Sequence, residues 1–171
     1  MDRTRTNTRS DERTLSGQTV REVIAELAQR APTRNYLLAP ESGSAFSYAD
    51  LEQRARKIAR HLDALGLGMG DVVSFMLGNG PGTAELILGS MYGGFICAPL
   101  NAASGLNQLT YVLDHSQTDI VFVSADHEGK LRQALASIKR EVRIIVTDVD
   151  TGPEWPNAAS TDSSLPNVES S

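Results

Sequence analysis

The sequence predicts an α/β fold: a three-layer arrangement in which a mainly parallel sheet carries helices on both faces. Three observations carry this expectation. Short β-rich runs, Val72 to Leu77, Phe95 to Ala98, Ile120 to Val123 and Val142 to Val146, alternate with segments of helical apolar spacing. These runs lack polar alternation, so each needs cover on both faces. Repeated strand-helix-strand spacing supplies that cover through right-handed crossovers onto a parallel sheet.

Taken in order, the first helix is expected to start at Thr19. Thr19-Val20-Arg21-Glu22 has the form of a capping box, Val20, Val23, Ile24, Leu27 and Ala28 follow at helical spacing, and Pro32 marks the end. Tyr36 to Ala39 and Ala45 to Ser47 read as a hairpin around Glu41-Ser42-Gly43-Ser44. A second capping box, Ser47-Tyr48-Ala49-Asp50, opens a helix whose stripe is Leu51, Ala55, Ile58, Ala59, Leu62 and Leu65. Gly66 stops it. After the strand from Val72, Pro81 to Tyr92 is a helix apolar on most sides, which predicts burial, and Gly93-Gly94 ends it. Leu106, Leu109, Val112 and Leu113 mark the helix before the Ile120 strand; Leu131, Leu135 and Ile138 mark the helix before the last strand.

A chain of 171 residues suffices for one domain with a closed hydrophobic core. Its expected organisation is a flexible tail over 1–17, an α/β domain over 18–147 and an acidic Ser/Pro-rich tail over 148–171, where Trp155 and Leu165 are isolated large apolar residues. The formal net charge is -5, but five of the 21 acidic residues and no Lys or Arg follow Val146, leaving 16 acids against 16 bases before it. A neutral folded part offers no basic field to phosphate backbones, so nucleic acid is disfavoured as a partner. No segment approaches the apolar run that spans a bilayer, and no apolar signal core follows the N-terminus. The single cysteine, Cys97, has no disulfide partner and lies in an apolar run, where a buried inert thiol is the ordinary outcome. A soluble cytoplasmic protein is the expectation.

Several local patterns invite a chemical reading. Leu65-Gly66-Leu67-Gly68-Met69-Gly70-Asp71 is rich in glycine, yet it leaves a helix and enters a strand, the reverse of a dinucleotide loop, so a tight αβ turn is expected. Gly78-Asn79-Gly80-Pro81-Gly82 follows a strand and opens a helix, where free amides can hold an anion. It lacks both common phosphate fingerprints, which favours a sharp βα turn. His61, His115 and His127 are far apart with no partner at metal or triad spacing, and read as solvated surface residues. Asp114 and His115 are helical neighbours that point in different directions. Asp148 and Asp150 have the look of a metal-binding carboxylate pair but read as the start of the acidic tail.

Four ordered stretches resemble one family. They are Phe46 to Leu51 (Phe-Ser-Tyr-Ala-Asp-Leu), Leu65 to Val73 (Leu-Gly-Leu-Gly-Met-Gly-Asp-Val-Val), Gly93 to Asn101 (Gly-Gly-Phe-Ile-Cys-Ala-Pro-Leu-Asn) and Leu109 to Ser116 (Leu-Thr-Tyr-Val-Leu-Asp-His-Ser). Over about Val20 to Val146 the chain is similar to the first α/β subdomain of the adenylate-forming superfamily of acyl-CoA synthetases, luciferases and peptide-synthetase adenylation domains, and is most like an acyl-CoA synthetase. The resemblance implies a two-step activity. ATP and a carboxylic acid form an acyl-adenylate with release of pyrophosphate, magnesium assisting, and the thiol of coenzyme A then attacks the activated carbonyl. The family's phosphate loop, its aromatic-glycine-x-threonine-glutamate segment, its ribose-binding aspartate and its C-terminal lysine have no counterpart among these residues, and the phosphate loop is expected close beyond Ser171.

The resemblance therefore assigns no catalytic, cofactor-binding or metal-ligating residue within the chain; Gly66 to Asp71 and Pro99-Leu100-Asn101 match as scaffold that sets chain direction. An N-terminal fragment of an AMP-forming acyl-CoA synthetase, inactive alone, is expected, with the remainder of the enzyme as its partner and a fatty or aromatic acid as substrate of the whole. ATP, Mg and CoA are implied for the full-length enzyme only. A non-catalytic binding or regulatory module derived from the same subdomain is the alternative. A doubly wound nucleotide-binding protein using Gly78 to Gly82 is a third reading. Apolar helix faces left uncovered predict self-association.

Overall fold

The computed structural model describes residues 18–40 and 43–155; Glu41 and Ser42, expected within the hairpin loop, and the two outer segments, 1–17 and 156–171, lie outside the described residues. Five helices and six strands follow in the order α1 (Val20–Arg30), β1 (Asn35–Ala39), β2 (Ser44–Ser47), α2 (Tyr48–Ala64), β3 (Val72–Met76), α3 (Pro81–Gly93), β4 (Ile96–Pro99), α4 (Leu106–His115), β5 (Thr118–Val123), α5 (Ala125–Leu135) and β6 (Arg143–Val146). Both expected capping boxes form: Thr19 with Glu22 opens α1, and Ser47 with Asp50 opens α2. Ile138, expected on the last helix, lies beyond its end at Leu135.

Strands β4, β3, β5 and β6 form a four-stranded sheet in that order, every pair parallel, while β1 and β2 pair antiparallel as a separate hairpin. Alternation along β5 divides the core. Ile120 and Phe122 join Val73 and Phe75 of β3 under α2 and α3, where Ile58, Leu62 and Leu86 meet them. Val121 and Val123 face the other way, onto Leu109 and Leu113 of α4 and Leu131 and Ala134 of α5. Helices thus cover both faces of the sheet, and α1 packs outside α2 and α3 through Ile24, Leu51, Ala55 and Tyr92. No helix among the described residues is long and apolar enough to cross a membrane.

Helix α3 is apolar nearly all round because it sits between α2 and the sheet. Pro81 occupies its first turn, and Gly94 closes it in the left-handed conformation at φ 84°. A Cβ on Gly89 would lie 2.6 Å from Ile58 Cβ, so α2 and α3 approach as closely as they do only over a glycine. The charge on α3 is Glu85, buried and held by Arg54 of α2 at 2.8 Å and 3.0 Å; the same guanidinium lies 4.6 Å from the centroid of the Phe46 ring of β2. One side chain thereby ties the hairpin to both helices.

Polar groups inside the sheet are partnered. Ser74 and Thr118 are fully buried and share a hydrogen bond of 2.8 Å, and Ser116 joins Thr118 at 2.7 Å. Where the β3 to β5 register shifts at Val72, its amide donates to the Asp119 carboxylate at 2.9 Å.

Two truncations of opposite sign check this packing. Leu113→Ala, which empties a fully buried position between α4 and β5, is expected to lower unfolding stability by about 2–5 kcal/mol in urea titration. Gly129→Ala, on an exposed part of α5 with nothing within 4 Å of the added Cβ, is expected to raise it by up to about 1 kcal/mol.

Candidate functional site

A cleft of about 750 Å³ opens at the carboxyl ends of β3, β5 and β6, with Gly78, Ser124, Asp126, His127, Asp148 and Thr151 on its walls. This is where ligands of open α/β sheets tend to bind, because the strand order reverses between β3 and β5. The side chains decide what the cleft can accept. Asp148 Oδ1 accepts from the amides of Asp150 and Thr151, both at 2.9 Å, and from the Thr151 hydroxyl at 3.2 Å. Those backbone bonds hold its carboxyl below the usual carboxylate range. Asp126, at the start of α5, is lowered likewise by a hydrogen bond from the Ser124 hydroxyl, and lies 3.7 Å from His127 Nδ1. Both carboxylates are charged at neutral pH, so the cleft presents negative charge and repels phosphate.

The turn at Gly78 to Gly82 is closed by the chain itself. The Thr83 amide, among the first of α3, donates to the Val149 carbonyl at 3.1 Å. A Cβ on Gly80 would lie 2.3 Å from that carbonyl oxygen, and one on Gly82 would lie 2.4 Å from the Gly152 amide nitrogen. The glycines let another stretch of backbone pass, and that stretch takes the Thr83 amide. The sharp βα turn favoured from the sequence is the observed one.

Residues 148–155 correct the reading of this stretch as loose acidic tail. Asp148 and Gly152 form an isolated antiparallel bridge. Trp155 stacks on His61 of α2, ring centroids 4.6 Å apart and planes 3° from parallel, and meets Phe122 edge-on at 5.9 Å. The segment forms a strap across α2, α3 and the sheet end. His61 is consequently half-buried rather than solvated: burial, with the Lys57 ammonium adding to it, pushes the imidazole below its ordinary value. Asp150 faces a different hollow, beside Leu37, Leu38 and Pro81. No group of three or more His, Cys, Asp or Glu that could hold a metal occurs among the described residues.

The remaining sequence candidates fall into scaffold roles. His115 is exposed and stacks on Tyr111 one turn earlier. Gly66 and Gly70 take left-handed conformations in the αβ turn after α2, whose Asp71 carboxylate accepts from the Gly68 amide at 2.7 Å. Asn101 Oδ1 accepts from the Ala103 amide at the corner after β4. Burial pushes the Cys97 thiol up to about 11, which keeps it un-ionised and inert. Near Arg54 and Glu85, burial, then the Glu85 charge, pushes the Tyr36 hydroxyl up to about 12. Among the described residues the geometry brings together no nucleophile, base and orienting group. What sequence reasoning missed is the strap, signalled by glycines at Gly80 and Gly82 that need a close backbone and by a single tryptophan.

Comparison with known proteins gives this scaffold a context. The family described as AMP-binding enzyme matches residues 24–170. A sulfoacetate--CoA ligase of Cupriavidus necator is 38% identical over 150 residues, which cover 86% of this chain and 30% of that protein. Among solved structures, the luciferase-like enzyme of the mealworm Zophobas morio superposes with a TM-score of 0.77 at 17% identity, covering 94% of this chain and 40% of the other. A benzoate CoA ligase of Burkholderia xenovorans superposes at 0.68 with 22% identity, covering 81% and 27%. The chain thus spans less than half the length of these proteins. The structural likenesses carry the fold, and the α/β reading agrees with them.

The strap has a direct readout. In hydrogen exchange the Thr83 amide is expected to be protected in the wild-type chain and to lose that protection in Gly82→Ala, whose added methyl displaces Gly152. Phosphate or ATP at millimolar concentration is expected to leave the amides of Gly78, Asn79, Gly80, Gly82 and Thr83 unshifted.

Proposed function

Because this chain belongs to the AMP-binding enzyme family, we propose that it forms the N-terminal portion of an AMP-forming acid-thiol ligase that activates a carboxylic acid with ATP and passes it to coenzyme A. The observation that carries this reading is the extended match to that family, with a CoA ligase 38% identical across 86% of the chain. On this reading residues 20–146 supply sheet and helix walls, and the nucleotide is held by sequence outside the 171 residues.

The fit of ATP to the described residues supports that division. The one helix N-terminus that follows a glycine-rich turn is capped by Val149, and the cleft at the sheet end carries charged carboxylates. These residues do not fit a triphosphate with its magnesium, so no step of the reaction is assigned to them. In the whole ligase the partners of this portion are the remainder of the enzyme and, through it, the acid. Exposed apolar side chains at Ile96 and Val146, on the two edge strands, are surfaces that the remainder would cover and that favour self-association of the isolated chain.

Pyrophosphate release tests the proposal. With ATP, magnesium, coenzyme A and a panel of acids including sulfoacetate, an aromatic acid and a fatty acid, the 171-residue chain is expected to release none, and the longer protein encoded by the gene is expected to release it with one class of acid. Turnover by the 171 residues alone would contradict the division of labour. A reading frame that stops at Ser171 would favour a non-catalytic module instead.

A further inference from the structure

The strap is pinned at its end by a single aromatic pair. Trp155 and His61 lie face to face at 4.6 Å, and Trp155 also packs on the core cluster under α2 and α3. Between the strap and the two helices is a cleft of about 340 Å³ walled by Arg54, Lys57, Glu85, Pro153 and Trp155. A stack between a neutral imidazole and an indole needs no counterion and tolerates partial burial. An imidazolium in the same place loses part of its hydration, and it stands one turn from the Lys57 ammonium.

We propose that the His61–Trp155 stack is a pH-sensitive clasp: protonation of His61 loosens residues 148–155 from α2 and α3 and opens the cleft that Pro153 and Trp155 wall. Of the charged groups that share the cleft with Trp155, Arg54 and Glu85 are paired with each other. On α2 Lys57 opposes protonation. On the strap Glu154 precedes Trp155 and lines the other cleft, at the sheet end. From β6, Arg143 donates to the Leu65 carbonyl, one turn beyond His61 at the same end of α2, and Phe122 of β5 contributes an uncharged ring. The indole face attracts an imidazolium, which works against release; burial and Lys57 lower the imidazole despite it. Neutral His61 is therefore the form the fold favours. The stability it lends is full above the ordinary imidazole value of 6.5 and is lost as pH falls through the lowered folded value. Release at Trp155 leaves the Val149 contact with Thr83 as the inner anchor of the strap.

Trp155 is the only tryptophan of the 171 residues, so its emission reports the clasp alone. Emission of the 171-residue chain, titrated from pH 8 to pH 4.5 at constant ionic strength, is expected to change in one step with a midpoint below 6.5. That step is expected to vanish in His61→Gln and to persist in His115→Gln and His127→Gln. Proton NMR of the wild type provides a measurement that needs no variant. The His61 ring protons are expected upfield at pH 8 through the Trp155 ring current and to move downfield in step with the emission. A step that survives His61→Gln, a His61 midpoint at or above 6.5, or ring protons without an upfield displacement at pH 8 would each overturn the clasp.

Discussion

Helix α3 can lie between α2 and the sheet only where its facing side chain is missing. At Gly89 the nearest heavy atom to an added Cβ would be Ile58 Cβ at 2.6 Å, an atom fixed to the α2 backbone and unable to swing aside. Gly93 repeats the arrangement, with Ala59 and the Phe95 ring beside it. This close approach lets Leu86 reach Val73, Phe75 and Phe122 while Ile58 and Leu62 reach the same cluster. It also brings Arg54 over Glu85, so the acid of the buried helix is neutralised by its neighbour. The outer layer depends on it as well, since α1 rests on Ala55, Ala59 and Tyr92, which belong to both helices.

The same geometry shapes the sheet end. The helix that follows β3 has a free N-terminus in principle, and glycines beside it in fact. Those glycines admit the strap, whose Val149 carbonyl takes the Thr83 amide. The carboxylates that remain are engaged in their own turns, Asp148 with Thr151 and Asp126 with Ser124. The chain belongs to the AMP-binding enzyme family and spans less than half the length of the relatives it matches.

Much of the fold was legible because its signals are local. The Thr19–Glu22 and Ser47–Asp50 capping boxes span three residues, and Gly66 and Gly94 end their helices through conformations that glycine adopts at little cost. Burial of α3 followed from the apolar residues on most of its sides. Strand order was less accessible, since β3 pairs with β5 across 40 residues or more and nothing local records it. The strap was not seen at all. Its segment is polar and acidic, so composition reads it as solvated, and only the distant partners His61, Gly80 and Gly82 give Trp155 and Gly152 their places. The half-burial of His61 was lost with it. Both glycine-rich turns fail the spacing of the common phosphate fingerprints, and that much is read from the sequence alone.

The claim that everything else rests on is the direct contact between Gly89 and Ile58, and a double-mutant cycle measures it. Gly89→Ala alone is expected to lower unfolding stability by about 1–3 kcal/mol, as overpacking does. Ile58→Ala opens the space that the new methyl needs, so the double variant is expected to be little less stable than Ile58→Ala, with a coupling of about 1 kcal/mol or more. Costs that add to within about 0.5 kcal/mol would contradict the account, because the two helices would then not be held apart by that one side chain.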